Sequence, residues 1–282
     1  MAKYVPDINT QRWVIIAPAR TKRPADNAPH KQVCPFCPGN EATTPPEVYR
    51  IGPGEKDSPG WLVRVVPNKF PITDIHEVII HSPSDSKDVE ALPLEHVTKI
   101  LTAYRDRYRA HEDNGQVLIF CNHGEHAGAS LRHPHSQLAV IPKQINLDTL
   151  AREPINNVIE ENNRFLTYCP DFSQWPFEVW IASKERSGKF GEVADDELVD
   201  LARVLQPTLK KLEAVFAKPP PGVNERQSEF VYNYYIYHRE NWYVRITPRL
   251  IHRAGFELGT GLNVNIVDPA EAARILREME IS

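Results

Sequence analysis

The sequence has no apolar run approaching the roughly 18 residues that a membrane-spanning helix needs, and its opening, MAKYVPDINTQRW, lacks the apolar core of a secretory signal. No membrane partner is expected, and a cytoplasmic location is. An excess of positive charge is also missing. Lys and Arg number 33 against 37 Asp and Glu, a formal net charge of -4 with both signs interspersed. That balance offers no basic patch, so no nucleic-acid partner is expected. Cysteine is scarce, four residues in 282. Two of them, Cys34 and Cys37, form a C-x-x-C, and without a secretory signal that spacing favours a metal or redox role over a structural disulfide. Long continuous helical patterns are few as well. The 25 prolines gather in stretches such as TTPPEV and KPPPGV, which mark long ordered connections.

What remains is ordinary for a globular chain, 41% hydrophobic and 25% charged, long enough for one large core or two smaller ones. Apolar runs predict strands at 13–18, 62–66, 77–81, 117–123 and 136–142. Leu94, Val97, Ile100, Leu101 and Tyr104 share one face at helical spacing and predict a helix over about 94–110. The second half repeats this order. Glu178-Val179-x-Ile181-x-Ser183 echoes Glu77-Val78-x-Ile80-x-Ser82, a helix follows over about 195–216 with Leu198, Leu201, Leu205 and Leu209 on one face, and runs at 230–238 and 242–248 close the unit. A period of about 100 residues is too long for a solenoid and fits duplication of one α+β unit. The expected architecture is antiparallel strands with helices across one face, divided into 1–150 and 151–282.

The chemistry concentrates in the first unit. Four of the 11 histidines fall in NHGEHAGASLRHPHSQ, residues 122–137. Pro134 favours an extended conformation for His133, and residues two apart on an extended chain point to the same side. His133, His135 and Gln137 are therefore expected to project together. A lone histidine usually ends as a hydrogen-bonded or solvated side chain, but two bracketing a proline in a Gly/Ala/Ser-rich run shift the balance towards function. Gly124, Ala127, Gly128, Ala129 and Ser130 would let backbone approach a ligand and leave amides free for an anion. Two chemistries compete for the histidines: metal binding and covalent attack by neutral imidazole on an acyl or phosphoryl centre. CPFCPGN looks like a zinc knuckle needing two further ligands, and histidines are the natural completion. A thioredoxin-like motif is the weaker reading, since no helix pattern follows Cys37.

These residues resemble the galactose-1-phosphate uridylyltransferase branch of the histidine-triad superfamily. H-P-H-x-Q at His133 to Gln137 carries the resemblance, which extends through IAPARTKRP (16–24), CPFCPGNE (34–41), RVVPNKFP (64–71), WPFEVWI (175–181) and GFELGTG (255–261). It implies two histidine-triad-like repeats, with helices packed on an antiparallel half-barrel sheet. The second repeat, 151–282, is degenerate in its catalytic residues. It also implies nucleotidyl transfer in two displacements. His135 attacks the α-phosphorus of a nucleoside diphosphate sugar, releasing sugar 1-phosphate, and an incoming hexose 1-phosphate then collects the nucleotidyl group.

By the same resemblance, Gln137 bonds the phosphoryl oxygens and Ser130 contacts phosphate. Arg20, Arg23, Asn68, Asn122, Gly128 and Ala129 lie on nucleotide or phosphate; for the arginines a solvated basic loop is the competing reading, and the functional one stands modestly ahead of it. Glu257 and Asn263 match sugar-hydroxyl contacts. Cys34, Cys37 and His133 would hold a structural zinc. Where many relatives place a histidine as fourth ligand, this chain has Asp85, with His81 nearby as a substitute. A second metal site, which some relatives carry in the second repeat, is not expected, because WYVRITP has no H-x-H. A homodimer with site groups crossing the interface is the family expectation. Ser136 replaces the glycine of H-P-H-G-Q, and Cys121-Asn122-His123-Gly124 replaces E-N-x-G. These departures look closer to relatives acting on ADP-sugars, and the alternative activity is an ADP-sugar or dinucleoside polyphosphate phosphorylase with phosphate as acceptor on the same scaffold. A nucleotide-binding module without turnover is the reading from another class, and the intact HPHSQ argues against it.

Overall fold

The runs of β-branched and aromatic residues become strands of one large sheet, and the 3.6-periodic segments become the helices that cover it. The structure, a computed structural model, describes residues 2–7, 12–22, 33–147, 150–185, 188–219 and 229–281. A small hairpin, β1 (Lys3–Pro6) with β2 (Trp13–Ile16), stands apart from the main sheet. The first unit supplies β3 (Tyr49–Ile51), β4 (Val63–Pro67), β5 (His76–Ile80), helix α1 (Leu94–His111), β6 (Gln116–His123) and β7 (His135–Ile141). The second supplies β8 (Val158–Glu161), β9 (Phe165–Tyr168), β10 (Val179–Ser183), α2 (Asp195–Ala217), β11 (Tyr232–Ile236) and β12 (Tyr243–Pro248), followed by α3 (Gly255–Thr260) and α4 (Pro269–Glu278).

These ten strands order as β3-β4-β5-β7-β6-β11-β12-β10-β9-β8, every pair antiparallel. From the middle outward, β6-β7-β5-β4-β3 on one side matches β11-β12-β10-β9-β8 on the other. The expected α+β repeat architecture is therefore present, with β6 and β11 joining the two units through register Asn122↔Asn233. Alternation then decides which side chains meet the helices. Val117, Ile119 and Cys121 of β6, and Leu138 and Val140 of β7, share a core with Val97, Ile100, Leu101 and Tyr104 of α1 and the four leucines expected on α2. Each such fully buried aliphatic side chain contributes about 1.5–3 kcal/mol. The opposite, open face of β7 carries His135 and Gln137. Among the described residues no helix is long and apolar enough to cross a membrane.

The structure corrects the internal echo. Glu77 faces the helices, bonded to Arg107 and His111 of α1. Glu178 faces the open side, bonded to Arg245 of β12 and to Trp180. Likewise Val78 and Ile80 pack on the open face, while Val179 and Ile181 pack in the helix-side core. The matched letters are thus out of step by one residue, which flips every side chain. Strands β1, β3, β8 and β9 and the helices α3 and α4 were not foreseen. Helix α4 has a clear start signal, Asp268 accepting from Ala270 N at 2.8 Å with Pro269 at the first turn. For β8 and β9 the signal is VIEENNRFLTY, a polar Asn-Asn turn between a short apolar pair and an aromatic, β-branched run.

Candidate active site

The CPFCPGNE segment folds on itself for local reasons. Cys37 N and Asn40 N donate to Cys34 O and Cys37 O at 3.3 and 3.1 Å, and the Asn40 side-chain amide closes the turn on Cys34 O at 2.9 Å. Gly39 sits at φ 91°, a region that side chains other than hydrogen strain to adopt. Buried Glu41 ties the turn to the rest of the fold, accepting from Gly39 N at 2.9 Å and from Trp61 Nε1 at 2.8 Å.

This turn aims both thiols at His133, whose Nδ1 is 3.6 Å from Cys34 Sγ and 3.6 Å from Cys37 Sγ. All three ligand atoms lie within 4.8 Å of one another. His133 Nε2 is 2.8 Å from Ser82 O. A carbonyl only accepts, so Nε2 carries the hydrogen and the Nδ1 lone pair faces the thiols. A tetrahedral zinc, with Zn–S of about 2.3 Å and Zn–N of about 2.0–2.1 Å, would set sulfur and nitrogen about 3.6 Å apart. The three side chains therefore fit that ion. Burial, with Cys34 and Asp85 adding, pushes the Cys37 thiol up to about 11, and a cation between the sulfurs would offset that penalty.

Asp85 lines the same cleft but its carboxylate is outside the three-ligand group. His81 is not a substitute ligand. Its ring lies on the helix side of the sheet, with Nδ1 2.5 Å from Asp88 Oδ1 and Nε2 2.6 Å from Ser136 Oγ and 3.0 Å from Tyr104 OH. The same network explains Ser136 and His123. Ser136 points away from its neighbours His135 and Gln137 and meets Tyr104 and Tyr234 hydroxyls. His123 bonds Asp88 Oδ2 at 2.9 Å and stacks on Tyr232, centroids 4.6 Å apart. Burial works against the Asp88 charge, yet His81 and His123 hold the carboxyl well below the usual range.

Pairing of β7 begins at His135, opposite Ile80, with Gln137 two residues on, opposite Val78. His135 Nδ1 is 2.8 Å from His133 O, so Nδ1 carries the hydrogen and the Nε2 lone pair is the free nitrogen. Burial, with His81 adding, lowers the imidazolium to about 4. The ring is therefore neutral at ordinary pH, as a nucleophile must be. Phe36, from the middle of the cysteine turn, packs its ring against both histidines at centroid distances of 6.0 and 5.3 Å. Sequence reading missed Phe36, and it missed His76, whose Nε2 is 3.1 Å from Gln137 Oε1.

One cleft of about 1390 Å³ brings together Cys34, Cys37, Asn68, Asn122, Ala129, Ser130, His133, His135 and Gln137. Asn68 Oδ1 accepts from Phe70 N at 2.8 Å, and Arg20 donates to Phe70 O at 2.8 Å, supporting that loop from behind rather than lining the cleft. Arg23 lies outside the described residues. Three of the amides in the loop after β6 are not free. Ala127, Gly128 and Ala129 N–H groups already donate to Gly124 O, Glu125 O and Gly124 O at 3.1, 2.8 and 3.2 Å. Glu257 and Asn263 do not line the cleft. Glu257 is half-buried, and its carboxylate caps Ala254 N at 3.0 Å at the start of α3.

Comparison with known proteins agrees with this geometry. Residues 16–144 match the N-terminal domain of a domain of unknown function, DUF4931. The chain is 30% identical to galactose-1-phosphate uridylyltransferase of Thermotoga maritima over a 314-residue alignment covering 96% of each chain. It is 29% identical to ADP-glucose phosphorylase of Arabidopsis thaliana over 324 residues, covering 97% of this chain and 92% of the relative. The crystal structure of the Arabidopsis phosphorylase with bound ADP-glucose matches with a TM-score of 0.75 at 28% identity, over 100% of both chains. A uridylyltransferase structure at 23% identity and TM-score 0.77, covering 98% of both, shares the fold. The chain therefore belongs to the galactose-1-phosphate uridylyltransferase family, near its ADP-glucose phosphorylase branch, and is an enzyme of the nucleotidyltransferase class.

Proposed function

We propose that the protein exchanges a nucleoside monophosphate between a nucleoside diphosphate hexose and a hexose 1-phosphate, as a UDP-glucose–hexose-1-phosphate uridylyltransferase does, by way of a nucleotidyl-His135 intermediate. The observation that carries this is the neutral His135 ring, pinned at Nδ1 by His133 O with its Nε2 lone pair free at the cleft. An Nε2–P bond forms to the α-phosphorus as the P–O bond to the departing sugar 1-phosphate breaks, and the second displacement reverses this with the incoming phosphate. Gln137 donates to the non-bridging oxygens, Ser130 holds phosphate, and Asn68 and Asn122 lie along the nucleoside. Positioning and charge stabilisation dominate such a transfer.

Zinc held by Cys34, Cys37 and His133 would stiffen the turn rather than join the reaction, because the His133 carbonyl is what orients the nucleophile. Residues 1–150 carry the chemistry, and 151–282 complete the sheet. Glu257 and Asn263 do not line this chain's own cleft, and their role as sugar contacts is read together with a homodimer that would bring them to the cleft of a second copy. The exposed Phe256, Leu258 and Leu262 on the same segment support it.

A second reading, phosphorolysis of an ADP-sugar, is favoured by the likeness to the Arabidopsis phosphorylase along almost the whole chain. The two separate in one assay: UDP-glucose or ADP-glucose offered with galactose 1-phosphate or with phosphate. The first reading expects UDP-galactose from the uridine sugar. Turnover of ADP-glucose by phosphate alone would overturn it in favour of the second.

A further inference from the structure

We infer that His76 is a positioning residue that decides which end of the Gln137 side chain faces the transferring phosphoryl group. The inference rests on the proposed role of Gln137. An amide side chain can present either its oxygen or its NH2, and only a hydrogen-bond partner of known direction distinguishes them. His76 supplies that direction. Ile72 N donates to His76 Nδ1 at 2.9 Å, so Nδ1 must be the bare nitrogen. In the neutral ring the hydrogen then sits on Nε2, which is 3.1 Å from Gln137 Oε1 and 3.3 Å from Asn68 Nδ2; the Asn68 amide nitrogen is itself a donor, its oxygen being held by Phe70 N, so Gln137 Oε1 is the acceptor of that hydrogen. The Gln137 oxygen is held on His76, and its two N–H donors are left for another acceptor.

The placement makes that choice matter. Both side chains are 4% exposed, so neither can trade this bond for one to water. Gln137 lies two residues from His135 on the same face of β7 and lines the same cleft. With His76 in place the amide offers donors to the phosphoryl oxygens. Flipped, it would offer a carbonyl oxygen to an anion. The backbone donor is itself fixed, because the 71–76 turn is closed by Thr73 Oγ1 on Ile75 O at 2.7 Å and by Asn68 N on His76 O at 2.8 Å. The chain from turn to histidine to amide transmits a backbone direction to the reacting group.

The test uses the full-length protein and whichever nucleotide sugar the wild type turns over, with four variants: His76→Phe, His76→Gln, Gln137→Ala, and His76→Phe combined with Gln137→Ala. His76→Phe should lower kcat by about 10- to 100-fold, as loss of an orienting partner does elsewhere, with KM changed only a few-fold. His76→Gln, which restores a donor near the Nε2 position, should recover most of the loss. In the Gln137→Ala background, His76→Phe should cost little more, since the group it orients is gone. Melting temperatures, read separately, remove any general loss of fold. Equal losses in His76→Phe and His76→Gln, or losses that add in the double variant, would overturn the inference while leaving the proposed function intact. Wild-type protein that never acquires a nucleotidyl group would refute the proposed function, and this inference with it.

Discussion

Strands β7 and β12 hold matching places either side of the sheet's middle, yet their open faces do opposite things. On β7, His135 and Gln137 each spend one polar atom inward and keep the other at the cleft. On β12, nothing is kept back. Arg245 bonds both carboxylate oxygens of Glu178 at 2.7 and 2.9 Å and lies over the Trp180 ring, while Tyr243 stacks on the same ring at 4.1 Å. Burial opposes the Arg245 charge, but Glu178 raises its pKa above the usual guanidinium range. The same backbone lattice therefore builds a reactive face where polar groups are half-satisfied and a structural one where they are fully satisfied.

Exchange of one side chain on each strand should have opposite effects on activity and stability. On β7, His135→Gly should lower turnover by about 10⁴-fold or more, the scale of losing a covalent nucleophile, with the melting curve close to wild type. On β12, Glu178→Ala should leave activity per folded molecule largely unchanged but cost about 3–5 kcal/mol, because Arg245 would stay buried without its partner. Denaturant unfolding beside initial rates reads both. A stability loss in the first, or a selective rate loss in the second, would erase the distinction.

His133→Asn comes next. The His133 side chain is needed on the reactive side only for holding the turn, its carbonyl being kept by the variant, so bound zinc and melting temperature should both fall, with activity following. Zinc content and melting equal to wild type would show that His133 holds no metal. The smallest effect concerns the two glutamates that the sequence echo equates. Burial raises the Glu77 carboxyl, but hydrogen bonds from His111 and Arg107 outweigh it and leave a lowered pKa. Glu77 therefore adds stability above the ordinary glutamate range and loses it as pH falls through its lowered folded value. The melting-temperature gap between wild type and Glu77→Gln should shrink in acid. A gap constant with pH would contradict this.

The histidine segment was legible because its chemistry is local: H-P-H-x-Q and C-x-x-C are short spacings with fixed geometric meaning. What was not legible depends on contacts across the fold. His76 and Gln137 are 61 residues apart in sequence, and nothing in either neighbourhood marks the pair. The slip between Glu77 and Glu178 has a different cause. All five residues of β5 are buried, so the apolar run shows no alternation from which a face could be read. His81 lay plausibly near the metal in sequence, but strand alternation sends it to the helix side with Ser136 and Asp88. The loop of small residues suggested free amides, and its own turns consume three of them.

On this reading His135 Nε2 is the atom that carries the nucleotide. Mass spectrometry of the intact protein and its peptides, after brief exposure to UDP-glucose or ADP-glucose without acceptor, tests it directly. The expected result is the mass of one nucleoside monophosphate, acid-labile, on the peptide containing His135, and its discharge on addition of hexose 1-phosphate or phosphate. Steady turnover with no labelled protein, or a label on any other residue, would contradict it.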